Sequence, residues 1–387
     1  MTLATVCGNF SVCCAQELGP YITWMDRESA VVVMHTKTDE EIKFTEETTK
    51  TELSSTGKHH VFRIPLTAES RIISYSCQLK NGGMSEKYNV MCPQAVADKL
   101  SFIVYGDSQA KDGARQGKVT ANFQALKPCF ILRTGDISSG KGSDAPDIFG
   151  TDWSVNFFNA VPRQVLATIP YYVTEGNHDN ESPEQMKAYS TVFPQFNDSG
   201  NYSFRWGNAL VISLDIESKI SEFVKNNDEA WLKKEIGKYP DATWKIAFFH
   251  VPPWSGGKHG ESEWAVGGRE KLLGVLMENG IDIVFSGHEH NYERLKPISL
   301  KGVNGNPVQF VITGCAGANY YDAKEQPFLS KLINKKDHFC SVNVSGEVLS
   351  VEVFDSEKNL LDKFEIRKDK GKNTFGAEIF EVEQKDK

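Results

Sequence analysis

Five short stretches of this 387-residue chain carry residue types that bind hard metal ions, and each follows an apolar run. In order they are VYGDSQ with Gly106-Asp107, LRTGD with Gly135-Asp136, VTEGNHD with Gly176, Asn177, His178 and Asp179, IAFFH with His250, and VFSGHEH with Gly287, His288, Glu289 and His290. A short apolar run bounded by turn residues matches a buried parallel strand. In open α/β sheets, ligands bind at the carboxyl ends of such strands. Two Asp, one Asn and three His gathered there form an oxygen and nitrogen donor set. It suits a pair of first-row divalent or trivalent ions better than a thiolate-loving metal. The chemistry that follows is metal-assisted hydrolysis.

A carboxylate shared by two cations holds them about 3.5–4 Å apart, the spacing of two-ion hydrolytic sites. Asp136 takes this bridging role, because it ends a buried strand in the middle of the set. Asp107 and His290 belong with the first ion, and Asn177, His250 and His288 with the second. Asn177 offers a neutral carbonyl oxygen, so it ligates without cancelling positive charge. Two divalent ions and two carboxylates leave a net charge of about +2, which attracts a phosphate dianion and acidifies a bridging water. A sulfate or carboxylate ester would feel the same field, so charge fixes the sign of the substrate and not its chemistry.

The elements that position these residues fall into two groups. From about Gln16 to Val90, YITWM, SAVVVMHT, HVFRIPL and RIISYSCQL are β-branched and aromatic runs separated by turn or charged clusters. They predict a β-sandwich of about eighty residues, with no convergent titratable set. His59-His60 reads as a structural pair on one strand. MCPQAVADK (Met91–Lys99) is a linker. Beyond it strands alternate with helical patterns near 116–126, 152–160, 182–192 and 267–279, and NYSFRW and NALVISLD pair as a hairpin around Gly207-Asn208. After the last motif, VQFVITG, HFCSVNVS, VLSVEVFD and LDKFEI predict a second, more antiparallel sheet, and residues 368–387 a charged tail, disordered or a loosely docked helix. The fold class expected is α/β (α+β): two sheets packed face to face with helices outside, behind an all-β domain.

Composition excludes other classes. Apolar content of 40% and charged content of 24% are ordinary for a globular protein. A net charge of −8 argues against a nucleic-acid surface. No apolar run reaches the length of a membrane span. The eight cysteines form no CxxC pair; Cys77 and Cys92 either form a disulfide or are buried free thiols. Residues 1–15 read as an export-signal remnant or a disordered terminus. The sequons at Asn197 and Asn343 matter only in a host that glycosylates exported proteins.

The ordered set GD…GD…GNHD…H…GHEHNYER resembles the calcineurin-like metallophosphoesterases, and within them the purple acid phosphatase branch. NYSFRWGNALVISLD, DEAWLKKEI, WKIAFFHVPPW and GHEHNYERLKPI carry the likeness beyond the ligands, and GPYITWMDRESAVVVMHT resembles the start of that branch's fibronectin-like domain. The resemblance spans about Gly19 to Ile366. It implies a fibronectin III-like domain over 16–92 and a catalytic domain over 97–367. It implies the same ligands: Asp107, Asp136 and His290 at one ion, Asp136, Asn177, His250 and His288 at the other. It adds His178 and His259 as catalytic residues that hold the phosphoryl group or protonate the leaving group. It also implies a secreted or periplasmic location. Glu289, Tyr292 and Arg294 read as loop braces.

Two departures bear on the metals. The purple enzymes place a tyrosine three positions after the bridging Asp, where this chain has Ser139; ferric iron and purple colour are therefore not expected. Related enzymes carry a histidine two positions after the first Asp, where Gln109 stands; Gln109 or water fills that place as a weak ligand. The expected cofactors are two ions drawn from Mn, Zn, Fe or Ca. A smaller departure, Ala247 for the family's Val, changes packing only. The expected function is hydrolysis of small phosphate monoesters by a metal-activated hydroxide. The alternatives are a phosphodiesterase acting on nucleotides or phospholipid head groups, distinguished by the pocket around Trp254, His259 and Gly140–Trp153, and a non-catalytic phosphate- or glycan-binding protein.

Overall fold

The computed structural model describes residues 17–383 apart from 68, 79–81, 95–98, 111–112, 141–145, 196–199, 217–219 and 222–227. The export-signal segment, the Asn197 sequon and four of the nine linker residues, 95–98, lie outside the described residues.

The N-terminal region is all β. Strands β1 (Glu17–Met25), β2 (Ser29–Glu46), β3 (Thr51–Pro65), β4 (Ile72–Cys77) and β5 (Tyr88–Met91) form one antiparallel sheet. β2 is far longer than its apolar run. Its first half pairs with β1 and its last three residues with β4, and the register against β3 breaks between His35 and Glu40. The charged run TKTDEE, expected as a loop, is the bent middle of this strand. The β4–β5 register pairs Ile72 with Met91 and Tyr75 with Tyr88. Cys77 and Cys92 therefore lie off opposite ends of the pair, and both are free, buried thiols.

Two seven-stranded sheets follow. The first contains β6 (Lys99–Tyr105), β7 (Phe130–Arg133) and β8 (Tyr171–Val173), parallel to one another. The second contains β9 (Tyr202–Trp206), β10 (Ala209–Ser213), β11 (Trp244–Phe248), β12 (Ile283–Ser286) and β13 (Tyr292–Leu295). After the short strand β14 (Ile298–Leu300), β15 (Gln309–Thr313) and β16 (Leu329–Ile333) complete that second sheet. β17 (His338–Ser345), β18 (Val348–Asp355), β19 (Leu360–Asp369) and β20 (Lys372–Phe375) then return to the first sheet through the β17–β6 pairing.

This corrects the expected division. The C-terminal antiparallel strands build no sheet of their own; they extend the one that starts with β6, and the motif strands are shared between both sheets. The charged tail is also corrected. Lys368 and Asp369 end β19, and β20 and β21 (Phe380–Val382) pair with β19 and β14. The expected hairpin is present as β9–β10.

Alternation fills the space between the sheets. Ile283 and Phe285 face the inner core, and Val284 the outer layer under the helices Asp228–Gly237 and Arg269–Glu278. Phe102 stacks on Phe130 and meets Phe285 of the opposite sheet edge-on, at ring centroids 4.8 and 6.4 Å apart. Trp254, expected in the substrate pocket, is instead buried in that outer layer.

Candidate metal centre

β6, β7 and β8 deliver Asp107, Asp136 and Asn177 from one sheet, and β11 and β12 deliver His250 and His288 from the other. All five leave carboxyl ends of strands, so the two sheets meet at a single cleft. The turns are tight. Asp107, Asp136 and His288 adopt left-handed backbone with φ of 50°, 51° and 67°, a conformation costly for side-chain-bearing residues. The glycines before them allow close approach: a Cβ on Gly135 would lie 2.5 Å from His250 Nδ1, and one on Gly287 2.3 Å from Asp107 Oδ2.

Asp107, Asp136 and His250 converge with ligand atoms all within 4.8 Å of one another. Around them the donors expected for a second ion lie close together. Asn177 Oδ1 is 3.2 Å from His250 Nε2 and 2.9 Å from His288 Nδ1. His250 Nε2 is 3.4 Å from Asp136 Oδ1 and 3.3 Å from His288 Nδ1. Bonds of about 2.0–2.2 Å to one ion place neighbouring donors roughly 3 to 3.5 Å apart, so these four atoms fit a metal ion. The His250 ring is oriented by Nδ1, which donates to Thr134 O at 2.8 Å and leaves Nε2 as the ligand atom. His290 likewise donates from Nδ1 to Asn319 O, and its Nε2 faces Asp107 Oδ1 at 3.6 Å.

Gln109 sits in the same shell. Its amide nitrogen donates to Asp136 Oδ2 at 2.9 Å and lies 3.5 Å from His290 Nε2, while its Oε1 is buried without a partner among the described residues. Asp107 Oδ2 is buried and unpartnered as well.

The electrostatics describe a site made for cations. Burial pushes the Asp107 carboxyl well above its usual range, and Asp136 nearby adds to this. Burial acts the same way on Asp136, but His250 and the His178 N–H outweigh it and hold that carboxyl well below the usual range. Burial opposes charge on His250, yet Asp136 and Asp107 raise it to about 10. A proton there stands in for the positive charge the carboxylates demand.

Both added histidines reach the centre. His178 donates its backbone N–H to Asp136 Oδ1 at 3.0 Å, and its Nδ1 is 2.8 Å from Glu181 Oε1. The His259 ring lies 4.7 Å from the His288 ring. His259 is placed by its N–H, which donates to the buried Glu289 at 2.5 Å. Glu293 accepts from Ser255 and Gly256 of the same loop, and Tyr292 and Arg294 bond Asp362, so this motif braces as expected.

Sequence reasoning missed Tyr321, whose ring stacks on His290 at 4.0 Å, and the carbonyls of Thr134 and Asn319. It gave no role to Asp179 of the GNHD motif, which accepts from Ile137, Ser138 and Gly176 N–H groups and ties the Asp136 and Asn177 loops together. A cavity of about 570 Å³ opens beside the centre, lined by Gln109, Arg115, Asp152, His178, His290 and Tyr321 among others.

Residues 100–292 match the family model described as calcineurin-like phosphoesterase. These residues are a calcineurin-like phosphoesterase domain. Several of the curated relatives are purple acid phosphatases. Purple acid phosphatase 18 of Arabidopsis thaliana is 25% identical over 257 residues, 62% of this chain and 54% of the relative. Purple acid phosphatase 15 of the same plant is 31% identical over 195 residues, 43% of this chain and 36% of the relative. The chain thus spans only about a third to a little over half of these relatives. The fold is that of the purple acid phosphatase PPD1 from yellow lupin (Lupinus luteus) seeds, with a TM-score of 0.73 at 17% identity over 92% of this chain and 75% of that one. PhoD follows with a TM-score of 0.67 at 12% identity, covering 94% of both chains.

Proposed function

We propose that this chain is a two-ion phosphoesterase that hydrolyses small phosphate monoesters. The observation that carries the reading is the cage of Asp136, Asn177, His250 and His288 donors, with Asp107 and His290 beside it. Bound ions would supply charge for the phosphoryl oxygens and make a water acidic enough to attack at neutral pH. The chain's own part is placement. His178, with Nδ1 turned to Glu181, keeps Nε2 for the substrate, where it steadies the phosphoryl group and gives a proton to the leaving oxygen. His259 stands beside His288. Gln109 stands at ligand spacing from Asp136 and His290; turned over about its last torsion, its carbonyl becomes a weak ligand of the first ion. With Ser139 in the place of a ligand tyrosine, Mn, Zn, Fe(II) or Ca suits the first position, and iron-loaded protein is expected to show no tyrosinate band.

A phosphodiesterase is the second reading, because the cavity beside Gln109 and His178 has room for another ester arm. The N-terminal sheet fits a fibronectin/Ig-like accessory domain over 16–92, beside a catalytic domain over 97–367. Family likeness favours a secreted or periplasmic protein. The deciding assay is hydrolysis of p-nitrophenyl phosphate and bis(p-nitrophenyl) phosphate by chelator-stripped protein reloaded with Mn, Zn, Fe(II), Ca or Mg. Monoester turnover that rises with a second equivalent of ion supports the proposal. Turnover of the diester alone replaces it with the second reading, and no turnover with any ion leaves a phosphate-binding protein. His178→Ala should slow alkyl phosphates about 10²-fold or more and nitrophenyl phosphate far less, as loss of a general acid requires.

A further inference from the structure

The segment between β7 and the helix Arg163–Thr168 contains one helical turn, Thr151–Trp153, that continues as a π-helical turn, Ser154–Phe158. Such turns are rare and are frequently found at functional sites. Here two buried polar side chains, Asp152 and Asn156, come from this segment, 7% and 1% exposed.

Each reaches a different ligand loop. Asn156 Oδ1 accepts the Ala110 N–H at 2.7 Å, one residue beyond Gln109. Asp152 Oδ2 accepts from Ser138 Oγ at 2.5 Å, and both its oxygens accept from the Ser139 N–H at 3.1 Å. Ser138 and Ser139 directly follow the Asp136 loop. Asn156 Nδ2 then donates to Asp152 Oδ1 at 2.8 Å and closes the brace. The Asp107–Gln109 loop and the Asp136–Ser139 loop are thus joined through one pair of side chains. Gly113 packs against the same turn, where a Cβ would lie 2.2 Å from Val155 O.

We propose that Asp152 and Asn156 are positioning residues for the first ion: they set the gap between its two ligand loops and the aim of Gln109. The inference rests on the two-ion reading above. Both Asp152 oxygens are occupied by donors of the chain, so it acts on the ion through geometry and not as a ligand. Asp136 serves the second ion as well, but that ion's two histidines come from the opposite sheet. The effect therefore falls more heavily on the first ion, both of whose carboxylate loops the brace joins.

The test is manganese binding to the chelator-stripped full chain, by calorimetry and by metal content after dialysis, with melting temperature read in parallel. Asn156→Ala and Asp152→Ala are expected to weaken one of two manganese sites by about tenfold to a hundredfold, the usual loss for such supporting partners, and the other by clearly less. Asp152→Asn keeps an acceptor for the Ser139 N–H and should lose less; it also carries the test where Asp152→Ala does not fold. Equal weakening of both sites, or a lowered melting temperature with both affinities intact, would overturn the inference while the two-ion reading stands. Wild-type protein that takes fewer than two ions overturns both.

Discussion

The ion site stores cost at single residues. Asp107, Asp136 and His288 hold left-handed backbone, and Asp107 keeps a buried carboxylate with one unpartnered oxygen. Burial alone disfavours that charge, so ion-free protein carries it at a penalty. Asp107→Asn should leave ion-free protein as stable as wild type or more so, by about 1 kcal/mol, while ion-induced stabilisation and turnover are lost. Urea unfolding with and without manganese checks this; a variant less stable than wild type without ions would contradict it. Glu289 is likewise a buried carboxyl with one unpartnered oxygen, pushed up to about 8 by burial, and its other oxygen carries a loop. It holds the His259 N–H inside the fold, and Glu289→Ala should cost about 2 kcal/mol and lower turnover through His259. At this scale the candidate ligands were legible because each motif pairs a metal-capable side chain with a strand end, and usually with a glycine. The carbonyls of Thr134 and Asn319 were not, because any residue supplies a carbonyl. Asp152 and Asn156 were hidden too: their meaning comes from a turn that no side-chain pattern in TDWSVNFFN announces.

At the scale of elements, the motif strands were legible and their distribution was not. Buried parallel strands look alike in sequence whichever sheet they join, so nothing separated β8 from β11. The C-terminal strands were misjudged for a different reason. Charge in the tail read as solvation, yet part of it is buried in pairing. Lys368 Nζ lies 2.9 Å from Asp282 Oδ1 with side chains 9% and 0% exposed, and the ammonium also sits over the Trp244 ring. Asn373 of β20 donates to the same carboxylate. This anchors the β19–β20 hairpin beneath β11 and β12. Removing one partner strands the other charge inside the fold, so Asp282→Ala should cost about 3–5 kcal/mol. A loss below about 1 kcal/mol by urea unfolding, the worth of an exposed pair, would show the hairpin to be loosely held.

Over the whole molecule, three buried tyrosines join the N-terminal sheet to the rest. Tyr21 donates to Val192 O at 2.8 Å, Tyr75 to Ala167 O at 2.6 Å, and Tyr172 bonds the Met25 backbone. The joint has a titratable member. Because the Tyr21 hydroxyl proton goes to Val192, His35 must donate from Nε2 to the Tyr21 oxygen at 2.7 Å. His35 Nδ1 is then left to accept from His59 Nδ1 at 3.0 Å. Burial, followed by His59 and His60, lowers His35 to about 3. A protonated Nδ1 would face another donor. The unfolded chain binds this proton near pH 6.5, so between there and pH 3 it holds more protons than the folded chain. The stabilisation is complete above about pH 6.5 and is lost as pH falls, by about 2 kcal/mol at pH 5. Lys58 and Lys187 act on His59 in the same direction, and Glu40 opposes this weakly through His60. Denaturation at pH 7.5 and pH 5.0 should therefore show a larger acid loss in wild type than in His35→Gln, by about 1–2 kcal/mol. Equal losses would place the acid sensitivity elsewhere and leave the joint between the N-terminal sheet and the phosphoesterase domain insensitive to pH.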